Sequence, residues 1–118
     1  MQEDKLVGVY CLKNKINGKM FVGSSSDVKK SLGRHKYRVK RGRHYNTGLL
    51  NDMTTLGMAN FTASMLEVIT LPVGDPYNMA RPHRRILRTA ENKWIRNLRS
   101  NDPAFGYNRK RVKLLELE

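Results

Sequence analysis

A carboxylate stands where an apolar residue is expected, at Glu91. Between Arg81 and Arg99 the apolar residues Leu87, Trp94, Ile95 and Leu98 recur at the spacing of one helix face, and Glu91 falls inside that stripe. A charge directed at a core is costly unless it is paired or binds a metal. A stripe-edge glutamate paired with a nearby arginine would satisfy the helix pattern too. Other reactive groups are spread along the chain: Tyr10 in an apolar run, His35 on the apolar side of a helix-forming stretch, His44 shortly after it, and Asn108 near the end. Phenols and imidazoles orient water and move protons, and a carboxylate holds cations. Each group also has an ordinary reading. Tyr10 alone is a sheet aromatic, His35 a hydrogen-bonded core histidine and His44 a loop residue. For Asn108 the preferred reading is structural, tying the tail to the sheet through side-chain-to-backbone bonds. His83 is read as surface.

The elements that would position these groups follow from pattern. Leu6 to Leu12 reads as a strand and Met20 to Gly23 as a second, joined through Lys15-Ile16-Asn17-Gly18 with its Asn-Gly hairpin signal. Alternation puts Val7, Val9 and Cys11 on one face and Gly8, Tyr10 and Leu12 on the other; Phe21 and Gly23 alternate against Met20 and Val22. Asp27 is the N-cap of a helix running to about Lys40, with the stripe Val28, Leu32, His35 and Val39. Asn46 or Thr47 caps a second helix carrying Leu49, Leu50 and Met53, and Gly57 stops it. Phe61 to Ile69 is a third strand, Leu71 to Asn78 a loop, and Pro82 the first turn of a long third helix ended by Asn101-Asp102-Pro103. The order ββααβα is an α+β fold: a small three-stranded, mainly antiparallel sheet with helices packed on one face.

The chain has 118 residues, which predicts one domain over 1–118 with a core of about 6–108 and a basic tail over 109–118. Hydrophobic content of 39% suits a globular protein. No apolar run approaches a membrane span, the polar start is not a signal peptide, and Cys11 is alone, so an intracellular, reducing compartment is expected. Against 10 acidic residues stand 23 Lys+Arg, a formal charge of +13. So strong a positive field favours polyanions, above all nucleic acid. Lys29, Lys30, Arg34, Lys36, Arg38, Lys40, Arg41 and Arg43 form one cluster, Arg81, Arg84, Arg85 and Arg88 a second, and Arg109, Lys110, Arg111 and Lys113 a third.

Taken in order, Gly8-Val9-Tyr10, the Asn-Gly hairpin, Phe21-Val22-Gly23, Gly23-Ser24-Ser25-Ser26-Asp27, His35, His44, Glu91-Asn92-Lys93-Trp94-Ile95 and Gly106-Tyr107-Asn108 resemble the GIY-YIG nuclease domain over nearly the whole chain. The resemblance implies phosphodiester hydrolysis. Glu91 matches the family's metal-binding glutamate, for one divalent ion, Mg²⁺ or Mn²⁺, and one acid on that face suits a single-metal site. Tyr10 matches the first motif tyrosine, which activates or orients water. His35 and His44 match positions that contact the phosphate or relay a proton. Gly8, Gly23 and Asn108 support the site structurally. Duplex DNA is the expected partner, with RNA the alternative, held through its backbone by Lys29, Lys30, Lys36, Arg38, Lys40, Arg41 and Arg43.

Two positions depart from the pattern. Phe21 stands where the second motif carries tyrosine, so that hydroxyl is lost. Ser31 stands where the first helix carries an arginine expected to stabilise the phosphate, and a hydroxyl cannot replace a guanidinium's charge and fork of donors. Arg34, three residues on, is its neighbour on the helix surface. Two roles are open to it: reaching the same phosphate, or, the plainer reading, one more backbone contact. Gly33 in mid-helix costs roughly 1 kcal/mol against alanine and leaves room for close approach of DNA or another backbone.

The leading reading is a metal-dependent DNA endonuclease. Against it stand an impaired nuclease fold that binds nucleic acid, favoured by Ser31 and Phe21, and a basic protein-interaction module. Neither a carboxylate-cluster motif nor paired Cys and His zinc spacing is present.

Overall fold

The computed structural model describes residues 5–74 and 76–109. The elements are β1 (Gly8–Asn14), β2 (Met20–Ser25), α1 (Val28–Lys40), α2 (Thr47–Leu56), a 3₁₀ turn at Met58–Asn60, β3 (Phe61–Val68) and α3 (Pro76–Leu98). The local signals act as expected. Asp27 accepts from the Lys30 amide at the start of α1, Asn46 from the Leu49 amide at the start of α2, and Gly57 closes α2 with φ 90°. Such caps satisfy amides that the helix itself leaves open. In the hairpin Gly18 takes φ 77°, and its amide donates to the Asn14 carbonyl at 2.8 Å.

The sheet order is β2-β1-β3, antiparallel throughout, so β1 is central and almost wholly buried. Tyr10, Leu12 and Phe21 pack beneath α1 and α2 with Val28, Val39, Leu49 and Met53. Val9 and Val22 point the other way and pack on Ile95 of α3. Both faces are therefore covered, which corrects the expectation of one helix-covered face. Element order says nothing about which side a helix crosses to, and the two alternating apolar sets of β1 each needed a partner. On the α3 side Trp94 Nε1 and Lys93 Nζ donate to Glu67 Oε1 at 2.8 and 2.7 Å, tying the helix to β3.

The third helix begins at Pro76, so Pro82 lies within it rather than in its first turn, and the expected loop to Asn78 is shorter. Two prolines carried the same N-terminal signal, and the earlier one occupies the first helical position. His83 is hydrogen-bonded rather than simply exposed: its Nε2 donates to the Pro72 carbonyl at 2.7 Å.

Two glycines allow close approach around β1. Gly8 has φ 149° beside a register shift in the β1–β3 pairing, and a Cβ there would lie 1.9 Å from the Glu67 carbonyl oxygen. Gly23 pairs with Tyr10 across the hairpin, and a Cβ on it would lie 2.5 Å from the Tyr10 hydroxyl. The Tyr10 ring occupies the space a side chain would fill. Gly23→Ala is expected to lower the unfolding free energy by roughly 1–3 kcal/mol, seen as a lower urea midpoint. Gly33→Ala is the opposite case. No atom outside its own helix lies within 4 Å of a Cβ there, so relief of the helix penalty should raise stability by about 0.5–1 kcal/mol.

Candidate active site

Tyr10 belongs to the sheet face under α1, Glu91 to the helix on the opposite face. They meet because β2 is an edge strand. Tyr10 reaches over Gly23 to that edge, and Glu91 reaches the same edge from below, where Ser24 Oγ donates to its Oε1 at 2.8 Å. The result is a cleft of two lobes. One, of about 380 Å³, is lined by Tyr10, Phe21, Gly23, Ser24, Tyr45, Glu91, Asn108 and Arg109. The other, of about 170 Å³, is lined by Tyr10, Ser31, Arg34, His35, Arg38 and Tyr45. Glu91 is 7% exposed, and the charge in the apolar stripe thus faces a cavity at the sheet edge.

Behind Tyr10 runs a chain of hydrogen bonds. The Tyr10 hydroxyl is 2.7 Å from His35 Nε2, His35 Nδ1 is 2.6 Å from His44 Nε2, and the Asn46 backbone amide donates to His44 Nδ1 at 3.0 Å. Both imidazoles are buried. Burial, His44, Arg38 and Arg34 push His35 down to about 4. Burial and Arg38 lower His44 against a raising bond from Asn46. With both rings neutral, one amide fixes the direction of the whole chain. His44 Nδ1 accepts from Asn46, so His44 carries its proton on Nε2 and donates to His35 Nδ1. His35 then carries its proton on Nε2 and donates to the Tyr10 oxygen. The Tyr10 proton is left to point into the cleft. Burial first, then Tyr45 and Glu91, raise the phenol above its ordinary value, against a lowering by Arg34.

This pair makes a pH prediction with a definite sign. Unfolded histidine takes a proton near 6.5, whereas folded His35 does so only near 4. Between those values the unfolded chain binds more protons, so stability is full above about 6.5 and falls as pH drops toward 4. The His35 contribution to that loss is on the order of 3 kcal/mol. Urea unfolding between these limits should show it, and His35→Gln should flatten the dependence.

The departures from the family pattern have definite surroundings. Phe21 is buried with its ring edge-on to His35, centroids 5.4 Å apart, and brings no hydroxyl to the cleft. Ser31 Oγ donates to Ser25 Oγ at 2.6 Å and accepts from Arg34 Nη2 at 3.4 Å. Arg34 and Arg38 thus line the smaller lobe. Lys29 and Lys36 lie on the other flank of α1, beside an apolar groove of about 370 Å³ that includes Leu12, Leu32, Gly33, Met53 and Phe61. Lys30, Lys40, Arg41 and Arg43 are exposed, with Arg41 over the Tyr37 ring. The first basic cluster is therefore split between two sides of one helix. Arg81, Arg84, Arg85 and Arg88 line a separate groove of about 390 Å³ on α3. Of the third cluster Arg109 donates to Thr47 Oγ1; Lys110, Arg111 and Lys113 lie outside the described residues. Asn108 bonds the Val22 backbone with both ends of its amide: Oδ1 accepts from the amide nitrogen and Nδ2 donates to the carbonyl, each at 2.8 Å.

Sequence reasoning did not single out Tyr45 or Ser24, although Ser24 lies within the quoted motif. Ser24 was reachable by alternation, since it shares its face of β2 with Val22. Tyr45 sits in an irregular loop, where periodicity carries no information.

Among the described residues no group of three His, Cys, Asp or Glu side chains converges as a metal cage. The Glu91 lobe still fits a hard divalent ion of the magnesium type, which is commonly held by one or two carboxylates plus water and substrate phosphate. No helix among the described residues is long and apolar enough to cross a membrane.

No family model matches the chain. Over 101 residues it is 33% identical to intron-associated endonuclease 1 of Enterobacteria phage T4, an alignment covering 86% of this chain and 36% of that protein. The chain thus spans about a third of the length of that curated relative. The solved catalytic domain of homing endonuclease I-TevI is 31% identical with a TM-score of 0.70, covering 89% of this chain and 99% of that one. A mutant form of the same catalytic domain is 28% identical with a TM-score of 0.73, covering 89% and 94%. The cleft at the β2 edge and these likenesses together make the chain a nuclease domain that belongs to the GIY-YIG family.

Proposed function

We propose that this domain is a metal-dependent endonuclease hydrolysing DNA phosphodiester bonds, in the mobile-element setting that the names of its relatives suggest. The observation that carries the reading is the convergence of the Tyr10 hydroxyl and the Glu91 carboxylate on one cleft, from opposite faces of the sheet. A divalent ion on Glu91, when bound, supplies Lewis-acid neutralisation of the phosphate and leaving oxygen, and offsets the carboxylate charge that raises the Tyr10 phenol.

The protein's own groups do the rest. Arg34 and Arg38 hold non-bridging phosphate oxygens in the smaller lobe, where Ser31 seats Arg34. Tyr10 keeps its proton at neutral pH and orients the attacking water through its hydroxyl. His35 and His44 have every ring nitrogen engaged, so they have none to offer a phosphate. The chain ends at a backbone amide that cannot accept a proton, so it orients Tyr10 rather than exporting protons.

Ser31 favours the second reading, a fold that binds DNA and no longer cuts. Plasmid cleavage separates the two. With Mg²⁺ or Mn²⁺ the wild-type domain should nick or linearise supercoiled DNA, with a chelator it should not, and binding without cleavage in both metals would establish the impaired form.

A further inference from the structure

Tyr45 stands at the junction of the two lobes and lines both. Its ring stacks on His44 with centroids 4.6 Å apart, and His44 is held in turn by its hydrogen bond to His35 at 2.6 Å. Its edge meets Phe21 at 6.5 Å. Tyr45 is 63% exposed, yet stacking on the anchored His44 holds it against the cleft wall. Stacking covers one face of the ring and leaves the phenol end beside the space between Arg38 and Glu91. Burial first raises the pKa of the hydroxyl, and both charges act on it as well: Glu91 raises it further and Arg38 lowers it. Phe21, below it, offers carbon only. We infer that the Tyr45 hydroxyl contacts the scissile phosphate, donating a hydrogen bond to a non-bridging oxygen held between the arginine lobe and the Glu91 lobe. This rests on the nuclease reading and adds a substrate-contacting residue to it.

The test is single-turnover cleavage at saturating enzyme, with affinity measured separately on the same labelled duplex. Tyr45→Phe should cut about 10-fold more slowly with affinity within about twofold of wild type, because it loses a donor and keeps the stacked ring. A substrate with one non-bridging oxygen of the scissile phosphate replaced by sulfur, a poorer acceptor, adds a readout that a structural role would not move. The penalty for the sulfur diastereomer that faces Tyr45 should shrink in Tyr45→Phe. An unimpaired Tyr45→Phe beside a slow, weakly binding Tyr45→Leu would make the ring a stacking platform for a base and overturn the hydroxyl contact. Equal sulfur penalties in wild type and Tyr45→Phe would overturn it as well. A wild type that binds the duplex but does not cut it in either metal ends the nuclease reading and the Tyr45 contact together, whereas a cutting wild type with an unimpaired Tyr45→Phe removes Tyr45 alone.

Discussion

Glu91→Gln is expected to abolish cleavage while leaving the fold and DNA affinity nearly unchanged. The amide matches the carboxylate in shape, and its oxygen can still accept the Ser24 hydroxyl bond. What it lacks is the charge that, in the proposed function, holds a divalent cation. Loss of comparable electrostatic stabilisation costs about 10²–10³ in rate, and here the loss should reach at least that range. The substitution also separates two accounts of the cleft. The Glu91 charge is one of the influences that raise the Tyr10 phenol, so its removal should make Tyr10 easier to ionise. If ionisation of Tyr10 were the main source of rate, the glutamine variant would cut faster. Single-turnover rates decide the matter, with affinity measured in chelator. A variant that cuts as well as wild type sinks the metal role of Glu91.

Arg34→Ala should lower the cleavage rate by about 100-fold and weaken binding much less. The family pattern places its arginine where this chain has Ser31, and the Ser31 hydroxyl here accepts a hydrogen bond from the Arg34 guanidinium. Arg34 therefore lies in the lobe with Tyr10 and Arg38. A cation aimed at the charge that develops on a phosphate contributes to the transition state far more than a rim contact contributes to affinity. Ser31→Arg supplies the counter-test. Where Arg34 already does the work, a second guanidinium in the lobe gains little. Should wild type bind without cutting and Ser31→Arg create a nuclease, the chain is an impaired enzyme. Equal losses of rate and affinity in Arg34→Ala would reduce Arg34 to a backbone contact.

Much of this fold was written in local chemistry. Asp27, Asn46 and Gly57 mark helix ends through bonds they make with their nearest neighbours, and the alternation in β1 separates two apolar sets by bond geometry alone. The position of Glu91 in an apolar stripe was visible for the same reason. What escaped depended on distant parts of the chain. The placement of α3 on the far face, the ring of Tyr10 in the hollow over Gly23 and the stacking of Tyr45 on His44 are all products of packing. Pro82 misled because its signal is real but repeated: Pro76 carries it too. The direction of the Tyr10–His35–His44 chain was beyond any reading of residue types, since it is set by the single backbone amide of Asn46.

The amide of Asn108 has a consequence for solubility. β2 is an outer strand, and an outer strand with open backbone groups invites another chain to add itself as the next strand. Along this border the Asn108 side chain occupies both polar groups of Val22, while Tyr107 donates to the Met20 carbonyl and Met20 to that of Phe105. Neighbouring molecules are thus denied a template beside the cleft by the domain's own chain. Asn108→Ala would reopen it, and self-association in concentrated stocks would then lower activity with Tyr10, Glu91 and Arg34 all still in place.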